Sequence, residues 1–375
     1  MPRRPLASTE LTVGLPMRFN AYDGRGNLLL CVGQVIGSAA QREMLLQHGL
    51  FYGSEEECRG PLPPPSPEPA RSPLARLLDA RRRLQMLLAD PEPADFPAAL
   101  ADIAAQVREA CRSNPEVALA SILLCTDGPY SSRHAVNAAV ACQLTGVALA
   151  LDEGELAAIV AAALTMNIGM FALHDALVAR EGPLSDVQHA MVRAHCRLGV
   201  AMLRERGITS TSWLDAVRDH HERSDGSGYP DGKRGAQISR AACLVALADI
   251  YCARVAGRDY RPPLQPTQAL RWLFLNEGAV LDESLARAFI KTLGVYPPGT
   301  GVRLRNGSLA VVIQRQSAGH QPVVASLTTH DGLRLHSPIR RRGDIEAHAI
   351  AEVVDLSALG IRVGMEALWG ADAAE

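Results

Sequence analysis

The chain has 375 residues, 47% hydrophobic and 21% charged, a balance that suits a globular protein with a sizeable core and room for two or three domains. Its net charge of −2 excludes a general field for nucleic acid or for a membrane surface. Eight cysteines without a Cys-x-x-Cys pair exclude a disulfide framework and suit a reducing cytoplasm.

The opening "MPRRPLASTELTVG" has no apolar run after its arginines and is not read as a signal peptide. Residues 1–58 are expected as a small α+β module. Two apolar runs flank Asp23-Gly24-Arg25-Gly26-Asn27, a hairpin pattern, and "SAAQREMLLQHG" follows as a helix stopping at Gly49. Residues 59–72, dense in proline, form an extended linker. From 73 to 293 leucine and alanine recur at three- and four-residue steps, the spacing of amphipathic helices. Asp152 with Glu155 and Ser185 with Gln188 mark helix starts. "LAAIVAAALTMNIGMFAL" is interrupted by Asn167 and reads as a core helix, with no membrane span expected. Residues 294–375 change character: Asn306-Gly307 and Asp331-Gly332 each separate β-type runs, predicting a small antiparallel β module. The fold class is therefore mainly α, an all-helical domain flanked by a small N-terminal α+β module and a small C-terminal antiparallel β module. Arg81-Arg82-Arg83 and Arg340-Arg341-Arg342 read as a solvated helix face and a charged loop. Cys31, Cys125, Cys142, Cys243 and Cys252 read as small core residues.

Metal ligands on a helical scaffold come from several helices pointing inward. The candidates are His134, His195, His220, His221 and Asp249, the last in the apolar run "LVALADIYCA", where a lone carboxylate needs a partner. His48, His174, His189, His320, His330, His336 and His348 show no partner pattern and read as surface residues.

The stretch "HHERSDGSGYPDGKRGAQISRAACLVALADIYCARVAGRDYR" resembles the signature half of the HD-GYP family, helical phosphodiesterases of the bacterial messenger cyclic di-GMP; the resemblance spans about residues 120–293. It implies that His134, His195, His220, His221 and Asp249 stand at metal-ligand positions, for iron or manganese. The pair that names the family falls on Met166 and Asn167, and the following family lysine on Met170. Tyr130 stands where some members have an acid ligand, and Asp259 at a usual proline. A carboxylate bridges two metals because it is anionic and has two oxygens, whereas Asn167 offers one neutral carbonyl and Met166 a soft thioether. A half-site survives, for one divalent ion (iron, manganese or zinc) or none. The turn Gly226, Gly228, Tyr229, Pro230 ends a helix and positions the histidine pair; the resemblance implies a further role in docking diguanylate cyclases. Arg180 and Arg223 are candidate phosphate forks.

Three functional classes stay open: a degenerate regulatory or scaffold protein of cyclic di-GMP signalling, a hydrolase with one metal, and a sensor acting through the flanking modules. The oligomeric state is not legible.

Overall fold

A computed structural model describes every residue except 1–2, 16, 18, 26–27, 32–33, 37, 49, 53–70, 181, 258–262, 279 and 316–320. The expected linker lies outside the described residues apart from Arg71 and Ser72, as do Asp259 and His320. The chain divides into two compact units, Met1–Arg71 and Ser72–Glu375.

The first unit contains β1 (Arg3–Pro5), β2 (Ala21–Tyr22), β3 (Leu28–Leu30), α1 (Ala39–His48) and β4 (Leu50–Tyr52). Its strands pair antiparallel in the order β1-β4-β2-β3. Leu11, Met17, Phe19, Ile36 and Leu45 give it a core of its own.

The second unit opens with eleven helices: α2 (Pro73–Ala89), α3 (Phe96–Ser113), α4 (Pro115–Leu124), α5 (Tyr130–Ala148), α6 (Glu153–Thr165), α7 (Phe171–Val178), α8 (Asp186–Glu205), α9 (Thr211–Asp219), α10 (Arg240–Val255), α11 (Pro266–Asn276) and α12 (Glu283–Leu293). Their starts follow capping chemistry. The side chains of Ser72, Asp95, Asn114, Asp152, Ser185, Ser239 and Asp282 each accept from a first-turn amide. Helix α5 is the axis, buried along nearly its whole length and packed against α6 and α10. Among the described residues Glu153–Val178 is apolar and long enough to cross a membrane, but 67% of its most apolar window is buried in the fold. It is also not one helix: α6 ends at Thr165 and a single 3-10 turn, Ile168–Met170, leads into α7.

Strands β5 (Gly301–Leu304), β6 (Leu309–Gln314), β7 (Val323–Thr328), β8 (Arg334–Arg342) and β9 (Ile350–Val353) form an antiparallel sheet in the order β8-β7-β6-β5-β9, followed by α13 (Met365–Trp369). The sequence places a module boundary at 294, yet sheet and helices share one compact unit. Trp369 Nε1 donates to the Ile313 carbonyl at 3.1 Å, Met365 packs with Leu74 and Val117, and Arg315 pairs with Glu116 at 2.8 Å.

Several expectations are corrected. Arg81 is not on a solvated face: it is buried and donates to the carbonyls of Cys125 (2.9 Å) and Ser121 (3.2 Å) and to Asn137 Oδ1 (2.8 Å). Burial lowers its guanidinium to about 10. Arg340-Arg341-Arg342 belong to strand β8, not to a loop. Cys142, Cys243 and Cys252 are core residues, while Cys31 and Cys125 are half-buried.

Candidate metal and ligand site

The N-terminus of α5 has Pro129 at its cap and no side-chain cap of its own. Asp175 of α7 supplies one, accepting from Ser131 N at 2.8 Å and from Ser131 Oγ at 2.9 Å. An anion suits the positive end of a helix, and the bond brings His174 beside the first turn of α5. There Tyr130 stacks on His134, with ring centroids 5.1 Å apart, and the His174 ring meets Tyr130 edge-on at 5.0 Å. His174 is buried, which overturns its reading as a surface residue.

Opposite, α10 carries Asp249, whose Oδ1 lies 2.7 Å from His134 Nε2. A carboxylate only accepts, so Nε2 holds the imidazole proton and Nδ1 accepts from the Tyr130 hydroxyl at 3.3 Å. Burial pushes the Asp249 carboxyl up, but the His134 hydrogen bond and the neighbouring imidazoles of His134, His221 and His220 outweigh it and hold Asp249 well below the usual range. His134 and Asp249 thus satisfy each other.

The second group has the opposite character. Helix α8 places His195 and Cys196 at its buried face, and α9 ends at Asp219, so His220 and His221 leave its last turn. The ring nitrogens His195 Nδ1 and His220 Nδ1 each bond a backbone carbonyl, that of Val192 and, at 2.7 Å, that of Val217. A carbonyl cannot donate, so each Nδ1 carries the proton and each Nε2 presents a lone pair. Those two Nε2 atoms lie 3.3 Å apart, and Cys196 Sγ lies 3.5 Å from His195 Nε2. One donor atom from each of His195, Cys196, His220 and His221 falls within 4.8 Å of all the others. Burial depresses His195, brings His220 down to about 4, holds His221 well below the usual imidazole range, and raises the Cys196 thiol. Facing lone pairs on neutral imidazoles repel unless a cation lies between them, so this donor set fits one divalent metal.

The glycine-rich turn holds this group in place. A Cβ on Gly228 would lie 2.4 Å from Arg223 N and 2.5 Å from Glu222 Cα, so only glycine fits. Tyr229 N donates to the His221 carbonyl at 3.1 Å, and the Tyr229 ring stacks on that of His221 at 4.7 Å. Glu222, fully buried and not singled out by the sequence, accepts backbone amides from Asp231 (2.6 Å), Gly232 (3.1 Å) and Lys233 (2.9 Å). Asp219, Glu222 and Asp231 also lie at ligand spacing, but Lys233 bonds Asp219 at 2.6 Å and Arg197 and Arg218 pair with Asp231. That acidic group is already neutralised by protein.

A cavity of about 180 Å³ joins the two groups, lined by His134, Asp249, His174, His221 and Tyr229 with Asn167 and Met170. Met166 is fully buried in the hydrophobic core and does not line it. Gly169, in the turn between them, lies against α8: a Cβ there would meet the His195 carbonyl at 2.2 Å. The candidate phosphate forks lie outside this cavity: Arg180 bonds Gln188, and Arg223 pairs with Glu277 at 3.0 Å. A larger cleft of about 1190 Å³, lined by residues such as Arg108, Gln143 and Arg315, touches none of the expected ligands.

Residues 117–285 match the HD domain family. A cyclic di-GMP phosphodiesterase of Pseudomonas aeruginosa is 31% identical over 214 residues, 57% of this chain and 51% of the relative. A cyclic di-GMP phosphodiesterase response regulator of Xanthomonas campestris is 32% identical over 145 residues, 38% of each chain. A 3'3'-cGAMP-specific phosphodiesterase of Vibrio cholerae is 30% identical over 169 residues, 45% of this chain and 36% of the relative. The matches therefore span about half or less of these relatives. Among solved structures, an HDG"Y"P protein of Bdellovibrio bacteriovorus shares the fold with a TM-score of 0.50 at 14% identity, covering 78% of this chain and 99% of that one.

Proposed function

Because the chain carries an HD domain over residues 117–285, similar in sequence to cyclic dinucleotide phosphodiesterases, we propose that it is a degenerate, non-catalytic member of that signalling system. It keeps the fold as a regulatory or scaffold element and responds to a cyclic dinucleotide such as cyclic di-GMP. One observation carries the reading. The cavity is lined by Asn167 where the resemblance places a bridging carboxylate, and the one carboxylate lining it among the described residues, Asp249, is already bonded to His134. A coupled pair of ions that makes hydroxide and clamps phosphoryl oxygens needs that bridge.

The cavity supports recognition of part of a ligand. About 180 Å³ falls below the roughly 300–1,000 Å³ of sites that enclose drug-sized molecules. It suits one phosphodiester edge of a dinucleotide, and Arg180 and Arg223 reach phosphate only by releasing Gln188 and Glu277. On the turn, Tyr229 is spent on His221, so docking of a diguanylate cyclase or another protein would use the exposed Asp225 and Ser227. Buried unpaired thiols accord with a reducing, cytoplasmic setting.

The second reading, a phosphodiesterase with one metal, rests on the converging lone pairs of His195 and His220. Metal analysis of the purified chain alongside cyclic di-GMP turnover separates the two. We expect at most one ion per chain and no linear product; sustained turnover would overturn the degenerate reading. Restoration is the converse test. Met166→His with Asn167→Asp and Met170→Lys places an imidazole in the core, so the variant should lose stability without metal and regain it with added manganese or iron, binding more metal than the parent. A pull-down comparing deletion of residues 226–230 with deletion of residues 1–58 tests the third class, in which the flanking modules act.

A further inference from the structure

We infer that Cys196 is the fourth ligand of the surviving half-site, making it a closed Cys-His₃ zinc centre that pins the glycine-rich turn to α8. The inference rests on the reading that two-metal catalysis is lost and gives the remaining ion an identity and a task.

The argument is geometric. Zinc takes imidazole nitrogen at about 2.0–2.1 Å and thiolate sulfur at about 2.3 Å, almost always tetrahedrally in structural sites. Those bond lengths set the tetrahedron's edges at roughly 3.3–3.4 Å between two nitrogens and roughly 3.5–3.6 Å between nitrogen and sulfur. The structure has His195 Nε2 and His220 Nε2 3.3 Å apart and Cys196 Sγ 3.5 Å from His195 Nε2. Two separations of different chemical type both match. The Nδ1 protons of His195 and His220 are held by backbone carbonyls, the outer partners that fix a ligating imidazole's tautomer.

Donor chemistry points the same way. A soft thiolate beside three imidazoles selects zinc over the harder iron(II) and manganese(II). On binding, the Cys196 thiol gives its proton to solvent and its sulfur lone pair to the ion. Catalytic zinc keeps three protein ligands and one open position, whereas here four donors are present. His195, Cys196 and His220 are fully buried, and only His221 reaches the cavity, so substrate has no approach to a fifth side. Helix α8 supplies two ligands and the segment after α9 the other two, so the ion joins them covalently in all but name. Its loss should free residues 220–238.

The test is cobalt substitution of the full chain after chelation. Tetrahedral cobalt(II) with one thiolate gives intense visible bands and a near-ultraviolet sulfur-to-cobalt charge-transfer band. We expect both at one equivalent, zinc displacing cobalt, and retention of zinc against excess manganese. Cys196→Ser should abolish the charge-transfer band and weaken zinc by more than roughly 100-fold, beyond the effect of outer-sphere changes. Circular dichroism verifies its fold, and the wild-type band tests the inference even if that variant does not fold. A wild-type cobalt complex without the sulfur band sinks the cysteine ligand while leaving the degenerate reading intact. Failure to bind zinc or cobalt also overturns it. Turnover of cyclic di-GMP defeats the degenerate reading whatever the sulfur does.

Discussion

The two histidine groups, which meet at the cavity through His134, Asp249 and His221, stand in opposite electrostatic states. On the α5–α10 side, His134 donates to Asp249 at 2.7 Å and accepts from Tyr130, so both of its ring nitrogens are bonded within the protein without any cation. On the α8–α9 side, backbone carbonyls hold the protons of His195 and His220 on Nδ1, and lone pairs meet at 3.3 Å. On the proposed reading, ligating one ion and bridging two are separable demands. The first needs converging lone pairs; the second, on the proposed reading, needs a bridging anion, and the cavity is lined instead by the neutral Asn167 with Met166 in the core.

The comparison breaks first where the two sides touch. Gly169→Ala drives a methyl to 2.2 Å from the His195 carbonyl and 2.7 Å from Gly199 N, both backbone atoms that cannot rotate away. We expect a loss of at least about 3 kcal/mol, at the upper end for overpacking, together with lower metal occupancy. An unchanged thermal midpoint would show that α8 does not pack on this turn. Glu222→Ala comes next. It removes the acceptor of three amides at 2.6–3.1 Å, costing about 2–3 kcal/mol in chemical denaturation. Hydrogen exchange should quicken at residues 231–233 first, and uniform quickening across the helical core would contradict a local role.

What the sequence reveals divides along the same line. The helical run is legible because leucine spacing and cap residues act locally, and the C-terminal hairpins are legible because Asn306-Gly307 and Asp331-Gly332 dictate turns. The candidate ligands His195, His220 and His221 lie in one group with Cys196. His174 is missed because the 3-10 turn at Ile168–Met170 changes the helical phase, so counting forward from α6 does not reveal which way it faces. Its spacing of four from Met170 was the available signal. Arg81 is missed because its partners, Ser121, Cys125 and Asn137, lie 40 to 56 residues away. Cys196 and Glu222 are missed because adjacency to a histidine says nothing about convergence in space.

Smaller changes sharpen the contrast. Asp249→Asn removes a charge-assisted bond worth about 1.5–3 kcal/mol, part of which an amide recovers by accepting from His134. We expect a net loss of about 1–2 kcal/mol by chemical denaturation with zinc content unchanged, since Asp249 shares the cavity wall with His221 but is not one of the four grouped donors. Zinc lost in step with stability would mean that the two groups act as one site.

The least perturbing change is Met170→Lys. Met170 is half-buried at the cavity wall with Asp249 also lining it, so the lysine stem can follow the apolar surface while its ammonium meets polar groups and water. The cost should stay below about 1 kcal/mol, within the range of volume-conserving exchanges. The added cation should also give inorganic phosphate a weak, salt-sensitive site that calorimetry detects in the variant and not in the parent. A cost above about 2 kcal/mol would place Met170 in the packed core, and the cavity would then lack the wall from which restoration of a phosphate site must begin.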